Sequence, residues 1–144
     1  MRREKMILAK EILIVTSEPG FDGFLETALD GVVQRIHWAR SVKAAQGALD
    51  ERKVDLIVSD FRLDGVATGF DLWFSCRRRF PQTPFILLSG FTLGVFDRLL
   101  RGTQSGGPHI LCRPFSGDEL RDRIRRIFDV EVETRPAATR RRAA

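Results

Sequence analysis

The residues best suited to chemistry stand directly after short apolar runs in the sequence. Asp60 follows one run, Ser89 follows another and Arg113 follows a third. A carboxylate at the end of a strand is an accessible nucleophile, a hydroxyl can turn toward an anion, and a cation offsets negative charge. A further apolar run is followed by two hydroxyl residues, Thr16 and Ser17, and then by Glu18. We expect the chemistry of the protein to come from this set.

The apolar runs have the length and composition of β-strands. Four of them cover residues 12–15, 54–58, 84–88 and 109–112, and each is typical of a strand that is buried on both faces. A fifth stretch, residues 33–39, alternates polar and apolar side chains, which predicts a strand at the edge of a sheet.

Helical patterns separate the runs. Apolar residues recur at three- and four-residue spacing from 21 to 29 and again behind Ser41, a residue typical of a helix N-cap. A third helix is predicted between Gly69 and Pro81. Its inward face is expected to carry Phe70, Trp73 and Phe74.

The last helix has the clearest start. Ser116 and Glu119 have the spacing of a capping box, in which each side chain bonds the backbone of the other. The predicted buried stripe behind this box comprises Leu120, Ile124, Ile127 and Phe128. A shorter helix is predicted over residues 95–100, before the glycine-rich stretch 102–107.

Alternating strands and helices predict an α/β fold, a doubly wound five-stranded parallel sheet with helices on both faces. The site of such a sheet lies at the carboxyl ends of its strands, where the residues named above should meet. We expect residues 1–10 to be a lead-in, residues 11–130 the domain, and residues 131–144 a flexible arginine-rich tail.

Composition narrows the class of protein. The 144 residues are 43% hydrophobic and 30% charged, which is typical of one soluble globular domain. No apolar run approaches the roughly 18 residues that a membrane span needs, so we expect a cytoplasmic protein. The net charge is +5, and four arginines without an acid lie in residues 135–144. Binding of nucleic acid is therefore expected only through this tail.

The order of these segments resembles the receiver domain of two-component response regulators, a CheY-like fold. The resemblance covers roughly residues 10–130. It rests on the run before Glu18, on the segment from Asp60 through Gly69, and on the endings at Ser89 and Arg113. Receiver domains take part in phosphorelay signal transduction, so the resemblance implies a phosphoprotein rather than an enzyme.

The resemblance also assigns roles to single residues. Asp60 matches the phosphate acceptor, Ser89 matches the hydroxyl that bonds the phosphoryl group, and Arg113 matches the lysine that pairs with it. The implied partners are a sensor histidine kinase or phosphotransfer protein and a downstream protein target, and a homodimer stays open. The contacts would involve the helix over 95–100, the strand over 109–112 and the last helix.

The chain departs from the family's pattern in three ways. The family places two acids directly after the first strand to hold Mg²⁺, where this chain has Thr16 and Ser17. Asp60, with Glu18 as a second carboxylate, predicts at most a weak Mg²⁺ site. Arg113 replaces a lysine and could pair with unphosphorylated Asp60. Ile110 stands where the family has a mobile aromatic residue, so we expect that switch to be blunted.

Several other residues receive structural interpretations. His37 and His109 are expected to be ordinary strand histidines, and the arginines at 77–79 to complement the dipole of their helix. Cys76 and Cys112 lack the spacing of metal ligands and are expected to pack. A solvated helix face explains the remaining basic set, which comprises Arg121, Arg123, Arg125 and Arg126.

Two functions remain open from the sequence. The first is a stand-alone receiver module with an impaired phosphorylation site at Asp60 that acts through protein contacts. The second is a pseudo-receiver, a binding or dimerisation module that works without phosphorylation. Incubation with a phosphodonor would separate them.

Overall fold

The strands form one parallel sheet. A computed structural model describes residues 7–63, 65–90 and 107–133, with the backbone alone for 130–133. The order across the sheet is β2-β1-β3-β4-β5, and every neighbouring pair is parallel. The strands are β1 (Ala9–Val15), β2 (Val33–Ala39), β3 (Leu56–Asp60), β4 (Phe85–Ser89) and β5 (His109–Cys112). This confirms the predicted doubly wound fold class, including the edge position of β2.

Helices cover both faces of the sheet. They are α1 (Asp22–Leu29), which follows a short 3-10 turn at Pro19–Phe21, then α2 (Val42–Glu51), α3 (Gly69–Arg79) and α4 (Gly117–Glu133). Buried side chains of α1 and α4 share one core, and those of α2 and α3 share the core on the other face. The helix predicted over 95–100 lies outside the described residues. None of the helices in the described ranges is both long and apolar enough to span a membrane.

Local capping explains where the helices begin. The Ser41 hydroxyl accepts a hydrogen bond from the Ala44 amide at 3.0 Å, which confirms the predicted N-cap of α2. Ser116 and Glu119 bond each other's backbone amides at 3.1 and 3.2 Å, which confirms the predicted capping box. A second capping box, Thr68 with Asp71, starts α3 and was missed in the sequence.

The predicted inward faces need correction at three aromatic residues. Phe24 of α1 and Phe74 of α3 are 38% and 46% exposed, and Phe128 of α4 is only half-buried. On α3 the small residue Cys76 and the aliphatic Leu72 turn inward with Trp73, which leaves Phe74 on the outer side. Apolar character alone therefore did not identify the buried face, because the helix has more apolar residues than one face can hold.

The first strand and the last helix each run a few residues past the predicted limits of 11 and 130, and the domain limits themselves stay a prediction. Strand β1 begins at Ala9, which is buried, and the Leu8 amide donates to the Val32 carbonyl at 2.8 Å. Helix α4 continues through Glu133, while the rest of the predicted tail lies outside the described residues. Strand β5 is the second edge of the sheet and is not buried on both faces as predicted, since His109 is exposed.

Two of the four α4 arginines are not purely solvated, contrary to expectation. Arg121 donates to the carbonyl of Ala28 on α1 at 2.9 Å. Arg123 donates to the carbonyl of Ile110 on β5 at 2.6 Å. Both side chains therefore fasten α4 to neighbouring elements, whereas Arg125 pairs with Asp122 on its own helix.

Candidate functional site

The carboxyl ends of the central strands bring the predicted site residues together. Asp60 ends β3, Ser89 ends β4 and Arg113 follows β5 directly. The Arg113 amide donates to the Ser89 carbonyl at 2.7 Å, which continues the pairing of β4 and β5 past their ends. These three residues and Glu18 line one cleft of about 350 Å³. The topology therefore places all four candidate side chains around a common space.

Asp60 is a buried carboxylate with both oxygens engaged. The residue is 2% exposed. Its Oδ2 accepts a hydrogen bond from the Thr16 hydroxyl at 2.5 Å, and its Oδ1 accepts one from the Arg113 guanidinium, with which it forms an ion pair. Burial raises the pKa of Asp60, and it outweighs the opposing effects of the Thr16 bond and of the Arg113 charge.

Thr16 has a role that sequence reasoning missed. The residue is fully buried, and its hydroxyl also accepts a hydrogen bond from the Glu18 amide at 3.1 Å. Its position follows from parallel register, because Val15 pairs with Ser59 and the next residues are Thr16 and Asp60. By itself the strand-end pattern identifies Thr16 only as a replacement for an acid, whereas the register of β1 against β3 places its hydroxyl beside Asp60.

Gly69 permits a close approach behind Asp60. Its amide donates to the Phe61 carbonyl at 2.8 Å. A Cβ at this position would overlap the carbonyl oxygen of Asp60 and lie 2.9 Å from a Leu87 methyl carbon. The start of α3 therefore presses on the backbone of the candidate phosphate acceptor, and only glycine fits there.

Glu18 lies at the mouth of the cleft. Its side chain is 60% exposed, and Oε1 stands 3.7 Å from a guanidinium nitrogen of Arg113. The Arg113 side chain is 30% exposed, and its Cζ lies 4.4 Å from the centroid of the Phe21 ring. The guanidinium is thus flanked by two carboxylates and one aromatic ring. The peptide bond that follows it, Arg113–Pro114, is cis.

This arrangement does not fit Mg²⁺. The ion requires near-octahedral oxygen ligation, usually with carboxylates. Here the guanidinium of Arg113 faces both Asp60 and Glu18, and the Thr16 hydroxyl donates its hydrogen to Asp60. In the parts of the chain that the structure describes, no group of three or more acidic, histidine or cysteine side chains could hold a metal ion. The carboxylates face an internal cation instead.

The two histidines and Ile110 lie away from the cleft. The His37 ring on β2 stands 2.5 Å from a carboxylate oxygen of Glu11, and this hydrogen bond lowers the pKa of Glu11. Partial desolvation lowers the pKa of His109, and the charge of Arg123 acts in the same direction. Ile110 is half-buried and packs against the core shared by α2 and α3.

Comparison with known proteins points to one family. The family model of the response regulator receiver domain matches residues 12–125. The nitrogen assimilation regulatory protein NtrX of Azorhizobium caulinodans is 30% identical over 117 residues, which is 78% of this chain and 25% of that protein. The transcriptional regulatory protein TcrA of Mycobacterium tuberculosis is 29% identical over 116 residues, which is 81% of this chain and 45% of that protein. The chain thus spans less than half the length of either relative.

Solved structures share the architecture. The non-phosphorylated HemR receiver domain of Leptospira biflexa superimposes with a TM-score of 0.69 at 29% identity, covering 88% of this chain and 98% of that one. The signal receiver domain of an HD domain-containing protein from Pseudomonas fluorescens gives a TM-score of 0.72 at 24% identity, covering 94% of this chain and 100% of that one. The second likeness concerns the fold alone.

Proposed function

The chain belongs to the response regulator receiver domain family, and we propose that it receives phosphate at Asp60 only inefficiently and signals through protein contacts. Receiver domains of two-component systems interact with histidine kinases and downstream effectors, and they are typically signalling modules without enzymatic activity. Ser89 and Arg113 are the proposed partners of the phosphoryl group.

The engagement of both Asp60 oxygens carries this proposal. In phosphorylation, a carboxylate oxygen of Asp60 would attack the phosphorus of a donor. The bond from phosphorus to the leaving group would break, and an acyl phosphate would form. Thr16 bonds one oxygen and Arg113 pairs with the other, so each oxygen that could attack already gives electron density to a hydrogen-bond donor. These contacts lower the nucleophilicity of the carboxylate.

The lack of an acidic pair to bind Mg²⁺ supports the same conclusion. Receiver domains generally bind Mg²⁺ at an acidic pocket. Here Thr16 and Ser17 replace the acidic pair, and Glu18 faces Arg113. Arg113 can still neutralise part of the charge of an incoming phosphoryl group, because a guanidinium is positively charged and can donate two parallel hydrogen bonds to phosphate oxygens. Slow phosphorylation is therefore expected rather than efficient phosphorylation.

A pseudo-receiver is the second candidate, favoured by the ion pair itself. Arg113 places positive charge on Asp60 in the absence of any phosphoryl group. If this ion pair is permanent, Asp60 stays unphosphorylated and the cleft keeps one conformation. The module would then bind its partner, or dimerise, constitutively. Both candidates share the fold and differ only in whether Asp60 reacts.

The deciding experiment compares four chains after incubation with a small phosphodonor and Mg²⁺. The chains are the unmodified protein, Asp60→Asn, the double variant Thr16→Asp with Ser17→Asp, and that double variant with Asp60→Asn added. Intact-mass measurement should show little adduct on the unmodified protein and much more on the double variant. The adduct should disappear in both Asp60→Asn chains.

The outcomes separate the candidates. Rapid Mg²⁺-dependent labelling of the unmodified chain would overturn the impaired-site proposal. No labelling of either Asp60-containing chain would favour the pseudo-receiver, and Arg113→Lys in the double variant then tests whether the ion pair is the block. Labelling that survives Asp60→Asn would show that another residue accepts the phosphate.

A further inference from the structure

The guanidinium of Arg113 occupies a slot with three walls. Asp60 accepts a hydrogen bond from one terminal nitrogen, and Glu18 approaches the other nitrogen at 3.7 Å. The Phe21 ring closes the third side, with its centroid 4.4 Å from Cζ. Because only 30% of the Arg113 side chain is exposed, water does not compete freely for these contacts.

The walls themselves are fixed by neighbouring contacts. The Phe21 ring stacks on Phe24 at 5.3 Å between centroids and meets the edge of Phe115 at 6.0 Å. The Phe21 amide donates to the Glu18 carbonyl at 3.0 Å, so the two walls belong to one short turn. The Glu18 amide in turn is bound by the Thr16 hydroxyl that also holds Asp60. The slot is therefore a connected unit.

From this geometry we infer that Glu18 and Phe21 are positioning residues that hold the Arg113 guanidinium on Asp60. The internal cation then stands where an external cation would have to bind, which accounts for the poor fit of the cleft to Mg²⁺. Neither residue reacts, since both act through Arg113. The inference deepens the proposed function, because it names what keeps the phosphorylation site closed.

The two residues contribute by different physics. The Phe21 ring face attracts the guanidinium, and an aliphatic side chain of similar size would not. The Glu18 carboxylate adds charge attraction, which its exposure to solvent weakens. Loss of Phe21 should therefore release Arg113 more than loss of the Glu18 charge does.

Nuclear magnetic resonance of the Arg113 side chain tests the inference directly. Rotation about the bonds between Cζ and the terminal nitrogens is slow when a guanidinium is held, and the Arg113 signals are identified by their loss in Arg113→Lys. In Phe21→Leu the rotation should become roughly threefold faster, the factor expected for the loss of one cation–π contact. Phe21→Trp should restore the slow rate, and Glu18→Gln should give a smaller increase.

Matched controls separate positioning from general loosening. Phe74→Leu removes an aromatic ring that contacts Arg77 far from the cleft, and Glu26→Gln removes an exposed carboxylate on α1. Both should leave the Arg113 signals unchanged.

Titration with MgCl₂ is a second measurement, followed through the Asp60 amide. Phe21→Leu should bind Mg²⁺ more tightly than the unmodified chain, by a factor similar to the change in rotation rate.

The measurements use no phosphodonor, so they can fail independently of the proposed function. Equal rotation rates in the unmodified chain, Phe21→Leu and Phe21→Trp would overturn the inference, whatever the phosphorylation result. Faster rotation in Phe21→Leu without tighter Mg²⁺ binding would overturn the claim that the guanidinium excludes an external cation. Rapid phosphorylation of the unmodified chain, with the expected rotation rates, would overturn only the impaired-site proposal.

Discussion

The contact between α4 and α1 and the cleft at the end of β3 are both buried, but the first is made of aliphatic side chains and the second of charged and polar ones. Leu120 and Ile124 of α4 are fully buried among aliphatic side chains. Asp60 is 2% exposed and is surrounded by a hydroxyl and a guanidinium. Burial lowers the free energy of the first region and raises that of the second, because only the second removes a charge from water.

The difference shows where this domain can change state. An aliphatic core keeps one arrangement of its side chains, because they are closely packed. The cleft instead depends on two directional partners of one carboxylate, and its geometry changes if either partner moves away. Stability that is independent of pH is therefore expected in the α1–α4 region, and stability that depends on pH is expected around Asp60.

The largest effect is expected from Gly69→Ala, which would break the cleft from behind. The added Cβ overlaps a backbone oxygen of Asp60 and cannot be accommodated by turning a side chain. Unfolding by urea should show a loss of about 4 kcal/mol, at the upper end of single-residue effects. Gly47→Ala on α2 is the control, because nothing lies within 4 Å of its added Cβ. That variant should gain up to about 1 kcal/mol. A loss of less than about 1 kcal/mol in Gly69→Ala would show that the cleft backbone is not tightly placed.

Ile124→Ala tests the aliphatic region. Truncating a fully buried isoleucine should cost about 3 kcal/mol, and the cost should be the same at pH 4.5 and pH 7.5, because the buried side chains of this core cluster are hydrophobic. Phe128→Ala should cost less, since the residue is only half-buried. If the cost of Ile124→Ala changed with pH, the expected contrast between the α1–α4 core and the Asp60 cleft would be wrong.

Arg113→Ala should cost roughly 1–2 kcal/mol at neutral pH, which is below the figure for a fully buried pair because the arginine is partly exposed. Burial already raises the folded-state pKa of Asp60 above the ordinary 3.8, and loss of the cation raises it further. Above the raised pKa the carboxylate is charged and unpaired, so the full cost applies. As the pH falls through that raised pKa, Asp60 is protonated in the folded variant, and the cost shrinks until Asp60 is also protonated in the folded unmodified chain.

A double variant isolates the charge. Asp60→Asn with Arg113→Ala should show no such pH dependence, because the buried carboxylate that pairs with Arg113 has been replaced. Urea unfolding of the four chains of this cycle between pH 3 and pH 8 gives the measurement. A cost of Arg113→Ala that is constant with pH would show that Arg113 does not act on Asp60.

The strands and the strand-end residues could be predicted from the sequence because both depend on local pattern. Apolar runs of four or five residues predict buried strands, and parallel strands bring their carboxyl ends together whatever the side chains between them. Asp60, Ser89 and Arg113 were placed in one cleft on that argument alone. The inward face of α3 could not be predicted in the same way, because Leu72 and Cys76 widen the apolar arc of this helix beyond what one face can bury.

The contacts of the cleft could not be predicted from pattern. The stacking of Arg113 on Phe21 joins residues 92 positions apart in the sequence, through a turn that has no strong signature. The close approach of Gly69 to Asp60 depends on how α3 meets the sheet, which no spacing within α3 encodes. The bond from Thr16 to Asp60 was within reach, but it required the register of β1 against β3 rather than either strand by itself.

The smallest expected effect distinguishes two arginines on α4, one bonded to a strand of the sheet and one on the exposed side of the helix. Arg123 donates to the Ile110 carbonyl at 2.6 Å, whereas Arg125 pairs with Asp122 on the exposed side of the same helix. Arg123→Ala should therefore cost about 1 kcal/mol through the lost bond, and Arg125→Ala should change stability by less than about 0.5 kcal/mol. Urea unfolding measures both variants.

A second measurement on the same two variants identifies the cause. The charge of Arg123 contributes to the lowered pKa of His109, after the larger effect of partial desolvation. Its removal should raise the His109 pKa toward the ordinary 6.5, in an NMR titration of the ring. Arg125→Ala should leave that titration unchanged. Equal stabilities together with equal His109 titrations would show that Arg123 does not fasten α4 to β5.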